Sequence, residues 1–203
     1  MIGREGTIKT AIYTCNFHQP QANFSATGNC RRNLEAEFIE HFARVYQRRF
    51  QRIHHGTTGQ STLFTRELPV PGHGIADLVV LNWKRQATPH NPDSSKIKRA
   101  GPTIRAFEAK LSGWRKGLMQ AHRYRYFSHT AILVVPHGML KNVIARLQTF
   151  QALRIGLWGF NPDTQRVTRV YTPRPKQPPS TKHQEQALAK IRQAVPSRAG
   201  LFR

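Results

Sequence analysis

The run Gly74-Ile75-Ala76-Asp77-Leu78-Val79-Val80-Leu81 constrains this chain more than any other segment, because it is apolar, strand-length and carries a carboxylate. A short apolar run bounded by turn residues reads as a buried strand. A carboxylate inside it must find a partner or a cation, since an unpaired buried charge is too costly to keep. The run Ile104-Arg105-Ala106-Phe107-Glu108-Ala109-Lys110-Leu111 repeats the situation. Side chains alternate along a strand, so Glu108 and Lys110 share one face. Two carboxylates and one amine can then converge.

The elements around these runs follow from periodicity. Leu34, Phe38, Phe42, Val45 and Tyr46 recur three to four apart, which predicts a helix over 33–50 with Asn33 as its N-cap. Residues 63–70 and 75–83 read as strands separated by Pro71-Gly72, and 104–111 as a third. Between the last two lies a long basic loop, 84–102, with three prolines and five Lys/Arg. A helix over 114–127, a buried strand over 130–135, a helix over 137–152 and a hairpin of 156–160 with 166–171 complete the pattern. Pro173, Pro175, Pro178 and Pro179 then predict a stiff linker, with one more helix expected over 184–195. The expected organisation is an N-terminal arm over 1–32, a single domain over 33–172, and a Pro-rich basic tail over 173–203.

Charge narrows the partners. Against 32 Lys+Arg stand only ten acids, a formal net charge of +22. Such a surface calls for a polyanion. No apolar stretch reaches the roughly 18–20 residues of a membrane-spanning helix, and the N-terminus has no secretory pattern, so a cytoplasmic location is expected. Cys15 and Cys30 are too few for a zinc ribbon or an iron-sulfur cluster and are expected as free thiols. No phosphate-cradling glycine loop is present, which removes nucleotide-driven chemistry from consideration.

Two carboxylates and an amine on neighbouring strands suit phosphodiester hydrolysis, because hard oxygen ligands hold Mg2+ (or Mn2+). On spacing alone, a buried ion pair kept for stability explains the trio equally well. The ordered motifs Gly74-Ile75-Ala76-Asp77 and Glu108-Ala109-Lys110 resemble the PD-(D/E)xK nuclease superfamily, with Ala76 where that name has proline. The resemblance covers about half the chain and implies an α/β fold with a restriction-endonuclease-like core, a central mixed β-sheet flanked by helices in the order αβββαβ. It implies Asp77, Glu108 and the Ala109 carbonyl as metal ligands, Lys110 as the catalytic lysine and Glu35 of the first helix as an additional ligand, with Glu67 as a rival for that last role.

Gln120 and Tyr124 resemble the Gln-x3-Tyr signature of RecB-like members, and the segment around Glu35 resembles the helix of Holliday-junction resolvases. Spacing of four puts Gln120 and Tyr124 on one helical face, where they can position the lysine, a water or a phosphate. Arg115, Lys116, Arg123 and Arg125, with Lys96, Lys98 and Arg99 of the long loop, are the expected nucleic-acid contacts. The resemblance implies a Mg2+-dependent deoxyribonuclease, with RNA open as a second substrate. A homodimer would follow if both strands of a duplex are cut. Two other readings stand beside it, a non-catalytic nucleic-acid-binding protein on the same fold and a basic structural component of a nucleoprotein.

Overall fold

Six strand-forming runs assemble into one mixed sheet, in the spatial order of their sequence. The structure is a computed structural model and describes residues 28–54, 60–84 and 101–194. Its elements are α1 (Gly28–His54), β1 (Gln60–Val70), β2 (Gly74–Lys84), β3 (Thr103–Ala109), α2 (Trp114–Tyr124), β4 (Thr130–Pro136), α3 (Leu140–Ile144), α4 (Leu147–Leu153), β5 (Ile155–Asn161), β6 (Arg166–Tyr171) and α5 (Thr181–Ala194). β1, β2 and β3 pair antiparallel, β3, β4 and β5 pair parallel, and β6 returns antiparallel to β5. The parallel pairs require crossovers, which α2 and the α3–α4 pair supply.

The sheet is covered on both faces. α1 lays Phe38, Ile39, Phe42, Val45 and Tyr46 on a cluster made by Leu78, Val80, Phe107, Ile132, Val134, Trp158 and Phe160. Phe42 is fully buried and meets Phe107, Trp158 and Phe160 edge to face. Burying one such ring contributes about 1.5–3 kcal/mol, and the aromatic pairings add to it. The other face carries a larger cluster, in which Leu118, Ala121 and Tyr124 of α2, Leu140 and Val143 of α3, Phe150 of α4 and Ala187 and Ile191 of α5 meet the sheet.

Several boundaries differ from those expected. α1 starts at Gly28, not Asn33, and continues past Phe50 to His54. Neither glycine nor proline interrupts the chain between Gly28 and Gly56, so nothing local stops the helix sooner. The single helix expected over 137–152 is a 3-10 turn, His137–Met139, followed by α3 and α4. Each short piece follows the surface beneath it. Leu140 presses onto β5 at Gly159, where any Cβ would lie 2.3 Å from Leu140 Cδ1, while Phe150 stacks on Trp114. α5 begins three residues before the expected Gln184, with Ser180 Oγ accepting the His183 N–H at 3.3 Å. Residues 1–27 of the expected arm, most of the basic loop and 195–203 lie outside the described residues. Among the described residues no helix is long and apolar enough to cross a membrane.

Candidate active site

Asp77 stands where a strand ladder gives out. β2 and β3 pair from Asn82↔Thr103 to Leu78↔Phe107. One residue further, the Asp77 carboxylate takes the place of a backbone partner, and its Oδ2 accepts the Ala109 N–H at 2.7 Å. The strands also change face here, since Ala76 belongs to the larger core cluster and Leu78 to the smaller. Strict alternation would have put them on the same face. On the neighbouring β1, Glu67 sits between Arg66↔Leu78 and Leu68↔Ala76 with φ 49, a left-handed conformation that costs a residue with a Cβ about 1–2 kcal/mol. The local distortion thus lies beside the carboxylate.

Glu108 points from β3 toward α2, and Lys110 follows on the same side just past the strand end. Lys110 Nζ lies 3.0 Å from Glu108 Oε1 and 3.3 Å from Glu35 Oε2 of α1. The Tyr124 phenol lies 2.5 Å from Glu108 Oε2 and 2.6 Å from the Ile75 carbonyl oxygen. A phenol has one proton for these two acceptors. With Glu108 ionised, Tyr124 donates to it; with Glu108 protonated, the acid donates to Tyr124, which then donates to Ile75. The tyrosine therefore serves either charge state.

Burial sets the electrostatics. Asp77 is pushed up to about 7, first by desolvation and then by the Glu108 carboxylate, against the pull of the Ala109 N–H and Lys110. Glu108 is raised as well, mainly by desolvation, with Tyr124 and Lys110 opposing. Burial works to lower Lys110, but Glu108, Glu35 and Asp77 together outweigh it and hold the amine above its usual range, so it is an ammonium at neutral pH. Tyr124 is raised by burial and by Glu108 and stays neutral. One fixed cation thus faces three carboxylates.

The remaining expected residues divide by place. Gln120 lies on the α2 stripe between Gly117, which abuts Lys110, and Tyr124, which holds Glu108; its Oε1 is buried without a hydrogen-bond partner. Arg115 and Lys116 are exposed on the first turn of α2, with Arg115 over the Trp114 ring at 4.7 Å. Arg123 lies beside the β1–β2 turn at Gly74. Arg125 is elsewhere: it donates to the Leu153 carbonyl at 2.8 Å, at the opposite end of the parallel strands. Ala109 enters the cluster through its N–H, and Glu67 is exposed. Lys96, Lys98 and Arg99 lie outside the described residues.

Gly117 is the residue that sequence reasoning passed over. A Cβ there would fall 2.6 Å from Lys110 Cγ and 2.8 Å from Leu133 Cδ1, so only glycine lets the lysine stem run under α2. The signal was present, since a glycine inside a helix costs about 1 kcal/mol and asks for a packing reason.

The donor set fits a small hard cation. Glu108 Oε1 is buried with no hydrogen-bond partner, its contact with Lys110 being an ion pair of poor hydrogen-bond geometry. The two desolvated carboxylates, both with raised pKa values, share a single compensating ammonium, Lys110. Among the described residues no group of three or more His, Cys, Asp or Glu side chains is placed to hold a metal ion, but Mg2+ is commonly held by only one or two carboxylates, with water and substrate phosphate completing the shell. No protein-family model, curated protein or solved structure matches this chain.

Proposed function

We propose that this chain is a metal-dependent nuclease of the PD-(D/E)xK type that hydrolyses phosphodiester bonds in DNA. The observation that carries the reading is the meeting of Asp77, Glu108 and Lys110 at the diverging ends of β2 and β3, two carboxylates and a cation drawn from separate strands. The element order α1, β1, β2, β3, α2, β4 supports it, because it follows the αβββαβ core of that superfamily. Asp77 and Glu108 would hold Mg2+ or Mn2+, with Glu35 and the Ala109 carbonyl as further oxygen donors beside them. When bound, the ion would polarise the phosphate and lower the pKa of water.

The chain's own residues would do the rest. Ala109 N–H fixes the Asp77 carboxylate in one orientation, and Tyr124 does the same for Glu108. Protonated Lys110 offers an N–H donor and a positive charge where negative charge develops on the phosphate, a role its raised pKa suits better than that of a base. Gln120 presents an unpartnered amide oxygen on the same helix stripe, able to orient a water. Arg115, Lys116 and Arg123 would neutralise backbone phosphates, giving sequence-tolerant affinity that falls with salt.

The test is cleavage of labelled single-stranded, double-stranded and branched DNA with Mg2+, Mn2+ or EDTA. Wild type is expected to cut only with the metal, and Asp77→Asn and Lys110→Ala to lose at least a hundredfold in rate. Cutting by Asp77→Asn at the wild-type rate would sink the reading, whereas metal-independent binding without cutting would leave a nucleic-acid-binding protein.

A further inference from the structure

A second charged site lies at the other end of the sheet. The C-terminal end of α2, the start of β4, the residue after α4 and the segment 173–179 enclose a cavity of about 220 Å3. Arg125, Arg154, Arg174 and Lys176 line it, and no acidic residue does. Glu108 is four residues along β3 from Ile104, whose N–H donates to His129 Nδ1 in this cavity, so roughly 13 Å of strand separates the two sites.

Two of the four cations, Arg125 and Arg154, are held by backbone carbonyls, while Arg174 and Lys176 are exposed. Arg125 Nη1 donates to the Leu153 carbonyl at 2.8 Å, and Arg154 Nη2 to the Arg174 carbonyl at 3.0 Å. Each bond takes one of five guanidinium donors and none supplies a countercharge. Backbone bonds also shape the wall, with Lys176 N–H on the His129 carbonyl at 3.0 Å. His129, lowered by burial against the opposing hydrogen bond with Gln177 and accepting at Nδ1, is neutral at pH 7 and adds no countercharge to the cavity. Arg154 occupies the residue after α4 with φ 53, a left-handed position where glycine or asparagine would be at ease.

We propose that this cavity binds a phosphate group. The held guanidinium forks of Arg125 and Arg154 suit bidentate recognition of tetrahedral oxyanions, and the four-cation cluster exceeds the single charge that a carboxylate ligand would offset. The volume is about seven times the share of one liquid water, room for a phosphate and part of what bears it. The phosphate comes either from the end of a nucleic-acid strand or from free phosphate.

Calorimetric titration of the full chain with inorganic phosphate, at constant ionic strength, tests this. Wild type is expected to take up one phosphate per chain saturably. Arg154→Gly, which suits the left-handed backbone and removes only the side chain, is expected to weaken binding at least tenfold, and Lys176→Gln severalfold, while Lys141→Gln on α3 leaves it unchanged. Binding as tight as wild type in both Arg154→Gly and Lys176→Gln, or no saturable one-to-one uptake by wild type, overturns the proposal. Oligonucleotides with a 5′-phosphate or a 5′-hydroxyl separate the sources. A preference for the phosphorylated strand that Arg154→Gly abolishes assigns the strand end, and uptake of inorganic phosphate without such a preference assigns free phosphate.

Discussion

Asp77 illustrates how one side chain ties stability to chemistry. Its pKa of about 7 in the folded chain exceeds the ordinary value near 3.9. A carboxylate raised in this way holds its proton more tightly when folded, so its stabilising contribution is complete at low pH and is lost as pH rises from about 4 through about 7. The shift corresponds to at most about 4 kcal/mol. Unfolding in urea with EDTA present should therefore show stability falling between pH 5 and pH 8, and Asp77→Asn should remove most of that fall. Glu108, shifted the same way, leaves a residual slope. An unchanged slope in Asp77→Asn would mean that Asp77 is not an undercompensated anion. Asp77, Glu108 and Lys110 were legible in the sequence, because burial and strand period are local arguments. The partner of Tyr124 was not, because its phenol reaches a carboxylate 16 residues away across an interface that no spacing encodes.

At the scale of elements, α2 is both a wall and a positioning device. Its buried Gly117 admits the Lys110 stem, and Tyr124 two turns later fixes Glu108. Gly117→Ala should gain about 1 kcal/mol in helix propensity and lose a similar amount to crowding of Lys110 and Leu133, leaving the unfolding midpoint nearly unchanged. The lysine should nevertheless be displaced, and misplacement of a reacting group by about 1 Å can cost a hundredfold. A variant with native stability and a cleavage rate ten- to a hundredfold lower is the expected outcome; native stability with full rate would remove Gly117 from the argument. The six strands and the α2 register were readable from period and turn residues. The division of 137–152 into a turn and two short helices was not, because it follows from how Leu140 and Phe150 meet surfaces contributed by Gly159 and Trp114.

For the whole molecule, the layer arrangement makes distant segments interdependent. α5, beyond the proline-rich linker, places Ala187 and Ile191 in the same buried cluster as Leu63 and Leu68 of β1. Ile191 is 1% exposed, so Ile191→Ala should destabilise the chain by about 2–5 kcal/mol, read as a lower urea midpoint with the slope unchanged. A change below about 0.5 kcal/mol would show α5 to be detachable from the core. From sequence, the prolines and the basic charge of 173–203 point to an arm, and the burial of Ala187 and Ile191 against β1 follows only from the tertiary packing.

By itself the sequence determined an α/β chain with an acidic pair on sheet strands and a lysine beside it in a strongly basic molecule, since hydrophobic period, turn chemistry and the cost of burying charge act over a few residues. Only the tertiary structure decided that Asp77 closes a broken ladder, that Glu35 of α1 reaches Lys110, that Arg125 lies away from the acids, and that four cations gather around a cavity at the far end of the sheet. Those facts depend on where strands diverge and which helix crosses which face. Such long-range packing is fixed by the whole core at once and by no single stretch of it.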